Sequence, residues 1–342
     1  AVAVTADGGS TWAARDADVQ AALLAMCAVD ASNAWIAGSG GYIRRTADGG
    51  KTWSIQDSRT PHDLLALYAP DADNAWAVGR DATVLRTCDG GLTWVPQYIG
   101  DGRGLHDVDA VSPRAAWAVG EGGAALKTEN GGYTWSVAYS GTTRDLYGVA
   151  AADAANAWLV GQEGLILRTW DGGKSWEEEP SRTSYDLRDV SCVDAKVAWA
   201  VGRRGTIVRT FDEGYTWYRQ DQVGAGELLG VYAADPDTAY AVARDGVILK
   251  TADAGETWES LPSGTTRDLL AVSGSGIDTA WAVGEEGTVL RTADGGRSWV
   301  PLDPGTGVDL TGVCAVDGNT AWVSGRGGFI ARTQDGGATW ER

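Results

Sequence analysis

Short apolar runs alternate with polar turns along the whole chain. Within residues 64–100 the runs are Leu64–Ala69, Ala75–Val78, Thr83–Thr87 and Leu92–Tyr98. The turns between them read PDADN, GRDA and CDGG, and their Gly, Asp, Asn and Pro residues favour tight reversals of the chain. No stretch keeps the apolar period of an α-helix long enough to form one. The pattern therefore predicts four short strands paired as an antiparallel meander.

The meander repeats with a period of 41 residues, the spacing from Trp12 to Trp53. The segment TADGGKTW, residues 46–53, is one of nine related copies, which end at Trp12, Trp53, Trp94, Trp135, Trp176, Trp217, Trp258, Trp299 and Trp340. The second strand carries another aromatic row, namely Trp35, Trp76, Trp117, Trp158, Trp199, Tyr240, Trp281 and Trp322. Only Trp170 of the 17 tryptophans falls outside these rows. Four strands in about 40 residues are typical of a propeller blade, so we expect an all-β fold, a single β-propeller of four-stranded antiparallel blades.

The number of blades follows from counting the strands. Strands one and two occur eight times, beginning at Leu23, Leu64, Leu105, Leu146, Leu187, Leu228, Leu269 and Leu310. Strands three and four occur nine times, because residues 1–14 contribute an extra pair. We expect one domain, residues 1–342, with eight blades, in which residues 1–14 complete ring closure with residues 310–342 and so remove exposed strand edges. Nine blades with one incomplete, or a fragment of a longer array, remain open alternatives.

The repeated TADGGKTW segment is interpreted as a folding element. Its glycines suit a hairpin that needs positive φ, its Asp and hydroxyl side chains can bond to backbone N–H groups, and its Trp supplies apolar area between blades. The acidic position is held by Asp7, Asp48, Asp89, Asn130, Asp171, Asp212, Asp253, Asp294 and Asp335. Nine copies of one active site are not needed for function, so these residues and the box tryptophans are expected to be structural.

This T-x-D-G-G-x-[ST]-W pattern resembles the Asp-box, or bacterial neuraminidase repeat, of sialidases, sortilin-type receptors and xyloglucan-cleaving glycosidases, where it is structural. The longer pattern AWAVG-x-x-G-x-[ILV]-[LV]-[RK]-T-x-DGG-x-TW is similar to the propellers of the photosystem II stability/assembly-factor family. The resemblance implies a non-catalytic protein that holds a partner against one face through an arginine-rich patch. It also favours an extracytoplasmic or secreted location, which the residues themselves do not reveal.

Composition narrows the classes of partner. The net charge of −18 argues against nucleic acid, since phosphate binding needs clustered positive charge. No apolar run is long enough to predict a membrane span, and a monomer is expected. The chain starts inside a repeat without Met or a signal segment, so we expect a processed or trimmed N-terminus. Cys27 and Cys314 lie seven repeats apart and would be neighbours in an eight-unit ring; free thiols are favoured over a disulfide, because central strands are too far apart for bridging.

One face of the propeller carries clustered cations. The loops between blades and the tips between strands two and three share this face, whereas the Asp-box hairpins share the other. The candidate binding residues are Arg80, Arg103, Arg144, Arg203, Arg204, Arg244, Arg267 and Arg326. Guanidinium groups suit an acidic peptide or a carboxylate; the alternative is that they pair with a row of acids before strand one. A second row, Arg45 to Arg332, precedes each box Thr and is expected to pair locally within each blade.

A catalytic function would require residues that break the repeat. Asp107, Asp109 and Asp189 interrupt strand-one positions that are otherwise small or apolar, and a glycosidase needs two such carboxylates. Nothing marks the residue set of a sialidase, and His62 and His106 lack metal-ligand spacing. We expect no catalytic residue, metal or cofactor, and predict a non-catalytic interaction scaffold that binds a protein or peptide on the loop face. The alternatives are a carbohydrate-active or carbohydrate-binding propeller, and an amplified or engineered repeat with no selected ligand.

Overall fold

The computed structural model describes residues 2–4, 13–15, 21–97, 102–138, 140–220 and 226–341. Within these ranges eight antiparallel sheets form a ring, so the predicted eight-bladed, all-β propeller is confirmed. Seven sheets have four strands in chain order. The eighth has three strands and an isolated bridge from Arg332 to Glu341 at the place of the fourth.

Each strand position repeats around the ring. The innermost strands are Leu23–Ala28, Leu64–Tyr68, Leu105–Ser112, Leu146–Ala151, Leu187–Cys192, Leu228–Ala233, Leu269–Gly274 and Leu310–Ala315. The second strands are Ala34–Gly38, Ala75–Gly79, Ala115–Gly120, Ala157–Gly161, Ala198–Gly202, Ala239–Ala243, Ala280–Gly284 and Ala321–Gly325. The third strands are Ile43–Thr46, Val84–Thr87, Ala125–Thr128, Ile166–Thr169, Ile207–Thr210, Ile248–Thr251, Val289–Thr292 and Phe329–Thr333. The fourth strands are Ser54–Gln56, Val95–Gln97, Ser136–Val137, Glu177–Glu178, Tyr218–Arg219, Glu259–Leu261 and Val300–Leu302.

Short 3-10 turns join strands two and three in seven of the blades. They are Ser39–Gly41, Glu121–Gly123, Gln162–Gly164, Arg203–Gly205, Arg244–Gly246, Glu285–Gly287 and Arg326–Gly328. In blade 2 the equivalent tip contains Asp81 and Ala82, both with positive φ. These tips lie on the loop face, beside the segments that lead into strand one.

The hydrophobic core lies between blades rather than within one sheet. Trp199 in strand two of blade 5 is fully buried and shares a cluster with Leu228 and Trp258 of blade 6. At another junction the box Trp176 meets Trp117 of the preceding blade edge to face, with ring centroids 5.5 Å apart. Edge-to-face contact is a favoured aromatic geometry, and the box tryptophan thereby fills the gap between blades.

The Asp-box is a network of hydrogen bonds within one turn. In blade 1 the Thr46 hydroxyl donates to Asp48 Oδ1 at 2.9 Å and accepts from the Gly50 N–H at 2.7 Å. Thr52 donates to Asp48 twice, from its N–H at 3.0 Å and its hydroxyl at 2.6 Å. The Thr52 side-chain bond is the main cause that lowers the pKa of Asp48 to about 2. Gly50 has φ of 87°, which favours glycine. Asp48 therefore folds a turn, whereas Asp7 and Trp12 of the first copy lie outside the described residues.

The cationic row of strand three connects neighbouring blades. The Arg45 guanidinium lies over the Trp35 ring of its own blade, 4.9 Å from the centroid, and donates to the Ala72 carbonyl of blade 2 at 2.9 Å. Equivalent bonds to a carbonyl of the next blade are donated by Lys127, Arg209, Lys250, Arg291 and Arg332. The prediction that this row pairs locally within each blade is wrong for these hydrogen bonds, because their acceptor carbonyls lie on the adjoining blade.

The same contacts join the last blade to the first. Arg332 Nη1 donates to the Ala31 carbonyl at 2.7 Å, and Trp53 of blade 1 meets Trp322 of blade 8 with ring centroids 5.8 Å apart. The junction between blades 8 and 1 therefore repeats the other junctions, although its residues lie at opposite ends of the chain.

The N-terminal residues supply one further pair of strands. Val2–Val4 pairs antiparallel with Ala13–Arg15 in a two-stranded sheet. Residues 5–12, which join the two strands, lie outside the described part of the chain. That residues 1–14 complete closure with residues 310–342 stays a prediction.

Candidate functional site

A row of carboxylates fastens five tips of the loop face to the next blade. Asp145 Oδ1 accepts the Gly122 N–H at 2.7 Å, and Asp186 Oδ1 accepts the Glu163 N–H at 3.1 Å. Asp63, Asp268 and Asp309 do the same for the tips that precede them. Each acid accepts a hydrogen bond from a backbone N–H of a turn in the preceding blade, so the row has a structural role on this face.

Blade 6 departs from the row and gathers a cluster of arginines. Glu227 stands where most blades have Asp, and its longer side chain accepts from Arg188 Nε at 3.0 Å. Arg203 Nε lies 3.4 Å from Glu227 Oε1, and Arg244 Nε lies 3.4 Å from Oε2. We call Arg188, Arg203 and Arg244, which contact Glu227, together with the adjacent Arg204, the arginine cluster. One carboxylate thus fixes three guanidinium groups from two adjacent blades.

The cluster is oriented but not saturated. Burial alone would raise the pKa of Glu227, but the hydrogen bonds and charges of Arg188 and Arg244 lower it below its usual value. Arg203 and Arg244 keep 53% of their side chains exposed. A guanidinium has five N–H donors in a rigid fork. Arg203 directs two of its nitrogens to Glu227 and Asp186, whereas Arg244 directs all three to Glu227 and Asp268. Because half of each side chain is exposed, the donors that remain can bind a further carboxylate.

The other predicted arginines are spread one to a blade. Each has its own local partner: Arg80 pairs with Asp63, Arg144 with Glu178, Arg267 with Glu286 and Arg326 with Asp309, while Arg103 donates to the Gly122 carbonyl. The structure therefore brings together Arg203, Arg204 and Arg244 and leaves the other five apart. The alternative of pairing with the acids before strand one describes Arg80 and Arg326, and it also describes Arg203 and Arg244 in the cluster. Arg144 and Arg267 pair with acids outside that row.

Arg188 was not among the predicted candidates, yet it is central to the cluster. It follows the first Leu of strand one, at a β-bulge that recurs in each innermost strand. Its guanidinium lies over the Tyr147 ring of blade 4 at 4.8 Å, and Tyr147 lies 5.7 Å from His106 of blade 3. The loop-face end of the central channel is therefore lined on one side by three polar residues, His106, Tyr147 and Arg188. Four other blades have leucine at this position, namely Leu24, Leu65, Leu229 and Leu270. The change from leucine to a polar residue is the sequence signal that identifies Arg188.

Arg204 extends the cluster outward from the channel. Its guanidinium lies over the Tyr185 ring at 4.8 Å, and its Nη1 is 3.1 Å from the Tyr185 hydroxyl. Asp186, the next residue, lies 3.4 Å from Arg203 Nη1. The surface therefore offers guanidinium groups interleaved with flat aromatic rings, an arrangement that suits a peptide with both carboxylates and apolar groups.

The three channel acids brace neighbouring innermost strands. Asp107 accepts the Val108 N–H at 2.8 Å and the Val149 N–H of the next blade at 2.9 Å. Asp109 and Asp189 each make the same pair of bonds, one within the blade and one across to the next. Both oxygens of each carboxylate are thus engaged with backbone donors. The geometry accounts for these acids as supports of the ring, and it does not present them as a free catalytic pair.

These acids make stability depend on pH. Burial raises the pKa of Asp107 to about 7 and that of Asp189 to about 6, although backbone hydrogen bonds oppose the shift. Between the ordinary Asp value and these values the folded chain retains protons that the unfolded chain has released, so stability falls as pH rises through this window. We expect the midpoint of thermal unfolding to decrease between about pH 4.5 and 7.5, and Asp107→Asn to flatten this decrease.

The pH range of this test excludes the effect of the Asp-box carboxylates on stability, which has the opposite sign. Their depressed pKa values, about 2 at Asp48, give stability that is present above the unfolded Asp value and lost below it. Asp57→Asn, an exposed acid, serves as the control and should leave the slope unchanged. A slope for Asp107→Asn equal to that of the wild type would contradict the prediction.

The cysteines are free thiols in the described structure. Cys27 Sγ lies 3.8 Å from the Ala69 carbonyl, and Cys314 Sγ lies 3.6 Å from the Ala28 carbonyl. Each thiol therefore makes a contact to the next blade like those of the channel acids. Burial raises the pKa of Cys27 to about 12, which keeps this thiol protonated at neutral pH.

Among the described residues, no helix is long and apolar enough to cross a membrane. Over the same residues, no group of three or more His, Cys, Asp or Glu side chains has an arrangement that could hold a metal ion.

Comparisons with known proteins agree with the resemblance seen in the repeat. The family model of photosynthesis system II assembly factor YCF48 matches residues 99–179, 140–276 and 262–342, which together cover more than half of the chain. Comparison of the sequence with curated proteins gives no significant match.

Solved structures resemble the chain in fold. The structure of YCF48 bound to D1 peptide has a TM-score of 0.63 and 19% identity, covering 81% of this chain and 94% of its own. YCF48 from Cyanidioschyzon merolae has a TM-score of 0.60 and 20% identity, covering 84% of this chain and 97% of its own. The computationally designed Ika8 protein has a TM-score of 0.75 and 14% identity, covering 92% and 96%.

Proposed function

The chain belongs to the family of photosynthesis system II assembly factor YCF48, and from this premise we propose that it is a non-catalytic protein-binding propeller. Its loop face binds an acidic peptide segment of a partner protein, with the arginine cluster of blades 5 and 6 as the main contact. A structural neighbour in this family is YCF48 bound to D1 peptide, and we infer that this chain likewise takes a peptide.

The arrangement around Glu227 carries the proposal. Holding three arginines around one carboxylate costs conformational freedom before any ligand arrives, so the ligand need not order them on binding. Glu227 is partly buried, whereas Arg203 and Arg244 stay half exposed. The cluster is therefore preorganised to present donors outward. Bidentate guanidinium–carboxylate contacts are stronger and more directional than those of lysine, which favours an acidic segment as ligand.

The adjoining channel mouth supplies the apolar part of the site. Leu229 and Leu270 occupy the positions in blades 6 and 7 that Tyr147 and Arg188 occupy in blades 4 and 5. Leu24 on blade 1 is partly exposed at the same level. A segment that combines carboxylates with one or two apolar side chains would contact both halves of this ring.

The test compares charge reversal in the cluster with charge reversal elsewhere on the same face. The probes are fluorescein-labelled peptides of equal length, in which Glu, Lys or Ser alternates with Ala and Leu, measured by anisotropy at low and moderate salt. We expect the Glu peptide to bind the wild type and Arg203→Glu with Arg244→Glu to weaken that binding about tenfold or more, with a steep salt dependence.

Arg80→Glu and Arg326→Glu are the matched controls, because both arginines are exposed on the loop face and pair with one Asp of their own blade. Each control should retain most of the affinity. Equal affinity in the cluster variant and the wild type would overturn the assignment of the site. Failure of the wild type to bind the Glu peptide would overturn the acidic-peptide proposal and favour a glycan ligand or a purely structural repeat.

A further inference from the structure

The opposite face, which carries the Asp-boxes, has an exposed aromatic surface on blades 4 and 5. Trp170, Phe211, Tyr215 and Tyr218 keep 43%, 48%, 61% and 41% of their surfaces exposed. Phe211 and Tyr218 are stacked with ring centroids 4.9 Å apart. We call these four residues the aromatic platform. Exposed aromatic groups of this density are unusual on a monomer and mark interaction sites.

The fold does not require these side chains. Trp170 and Phe211 each stand between the Thr and the Asp of an Asp-box, where blades 1, 6 and 7 have Ala47, Ala252 and Ala293. Those blades form the same turn with the same hydrogen bonds. The aromatic rings are thus additions to a turn that folds without them, and their grouping on adjacent blades is local to this part of the ring.

A buried guanidinium lies beneath the platform. Arg168 is 2% exposed, and its Cζ lies 5.0 Å from the Trp170 centroid and 4.1 Å from the Tyr215 centroid. Six other cations of its row donate to the next blade, whereas Arg168 Nη1 has no hydrogen-bond partner among the described residues. A buried donor left without an acceptor is costly. Here the guanidinium packs against both rings and holds them in position at the surface.

Carboxylates lie beside the platform, although Arg168 and Arg209 pack against its rings. Glu213 Oε2 lies 3.7 Å from Arg168 Nη2, and Glu177 is paired with Arg168 in the strand register. Burial raises the pKa of Glu179; the charges of Glu177 and Asp212 raise it further, and the charge of Arg168 opposes them. Carboxylates that raise one another's pKa form a region of negative potential. Such a surface attracts a cationic ligand and repels a second copy of this chain, whose net charge is −18.

We propose that the aromatic platform binds a basic, extended segment of a partner protein. Lysine or arginine side chains of the segment pair with Glu177 and Glu213, and its apolar or proline side chains stack on Trp170 and Tyr215. The protein then has two docking faces that prefer ligands of opposite charge. The loop face binds an acidic segment, and the Asp-box face binds a basic segment.

The experiment uses the full chain and labelled peptides of equal length, in which Lys or Glu alternates with Pro and Leu. The test variant is Trp170→Ala with Phe211→Ala, which installs the residue that other blades already have at these positions. The wild type should bind the Lys peptide, and the variant should raise its Kd about tenfold or more. The control Val300→Thr changes an exposed apolar residue on blade 7 and should have no effect.

The outcomes separate this surface from the arginine cluster. Arg203→Glu with Arg244→Glu should leave binding of the Lys peptide unchanged, so failure on one face does not decide the other. Equal Kd values in the wild type and the Trp170→Ala, Phe211→Ala variant would overturn the proposal, and so would equal binding of the Lys and Glu peptides. A dimer in sedimentation that this variant abolishes would assign the platform to self-association and also overturn it.

Discussion

Replacing Trp199 by Ala is expected to lower the free energy of unfolding by about 3–5 kcal/mol. Trp199 is fully buried in strand two of blade 5, within a cluster that includes Leu228 and Trp258 of blade 6. The Arg209 guanidinium also lies over its ring at 4.9 Å. Truncation would remove the largest apolar group of this junction and leave a cavity that two rigid sheets cannot close. The loss should appear as a lower midpoint in urea unfolding, followed by far-ultraviolet circular dichroism.

The repeat provides matched controls for this change. Blade 6 has Tyr240 at the equivalent position, fully buried, with its hydroxyl donating to the Ile277 carbonyl at 2.9 Å. Trp199→Tyr should therefore cost much less than Trp199→Ala. Trp170→Ala removes an exposed tryptophan and should change stability by about 0.5 kcal/mol or less. If Trp199→Ala and Trp170→Ala had the same effect, the aromatic rows could not be the main source of stability between blades.

The repeat period of the sequence was sufficient to predict the fold. Contacts within one blade recur at fixed short spacings, such as those of Asp48 with Thr46 and Thr52. Because the motif occurs in nine copies, these contacts could be predicted from the sequence. The order of strands followed because meander strands pair with their chain neighbours. Ring closure at blade 8 also repeats a contact made at the other junctions, so the same period predicts the partners at both ends of the ring.

The candidate site was less predictable, because its contacts cross between blades. Arg188 and Glu227 are 39 residues apart, and Asp107 and Val149 are 42 apart. Neither spacing identifies two contacting residues in the sequence, because the contact depends on how two sheets are placed around the channel. In the sequence, Glu227 stands as one more acid at a position that most repeats fill with Asp. Its one additional methylene lets it reach three arginines from two blades, which no periodicity reveals.

Arg332→Ala is expected to lower the free energy of unfolding by about 2–4 kcal/mol, because a buried guanidinium loses both its charged hydrogen bonds and its packing on a ring. Arg332 is 4% exposed and donates to the Ala31 carbonyl of blade 1 at 2.7 Å. Its guanidinium also lies over Trp322 and pairs with Glu341. Blades 8 and 1 are neighbours in the ring but not along the chain, so this junction has no connecting loop to keep its two sides together when a contact is lost.

Arg291 gives the matched comparison for this junction. It donates to the Gly318 carbonyl at 2.6 Å and lies over Trp281, so it makes the same contacts between blades 7 and 8, which are consecutive in the chain. Arg291→Ala should cost about 1–2 kcal/mol, since the loop between these blades limits their separation. Urea unfolding should therefore rank Arg332→Ala below Arg291→Ala, and limited proteolysis of Arg332→Ala should release fragments of blade 1 or blade 8 first. Equal losses would mean that ring closure adds no stability beyond the individual contacts.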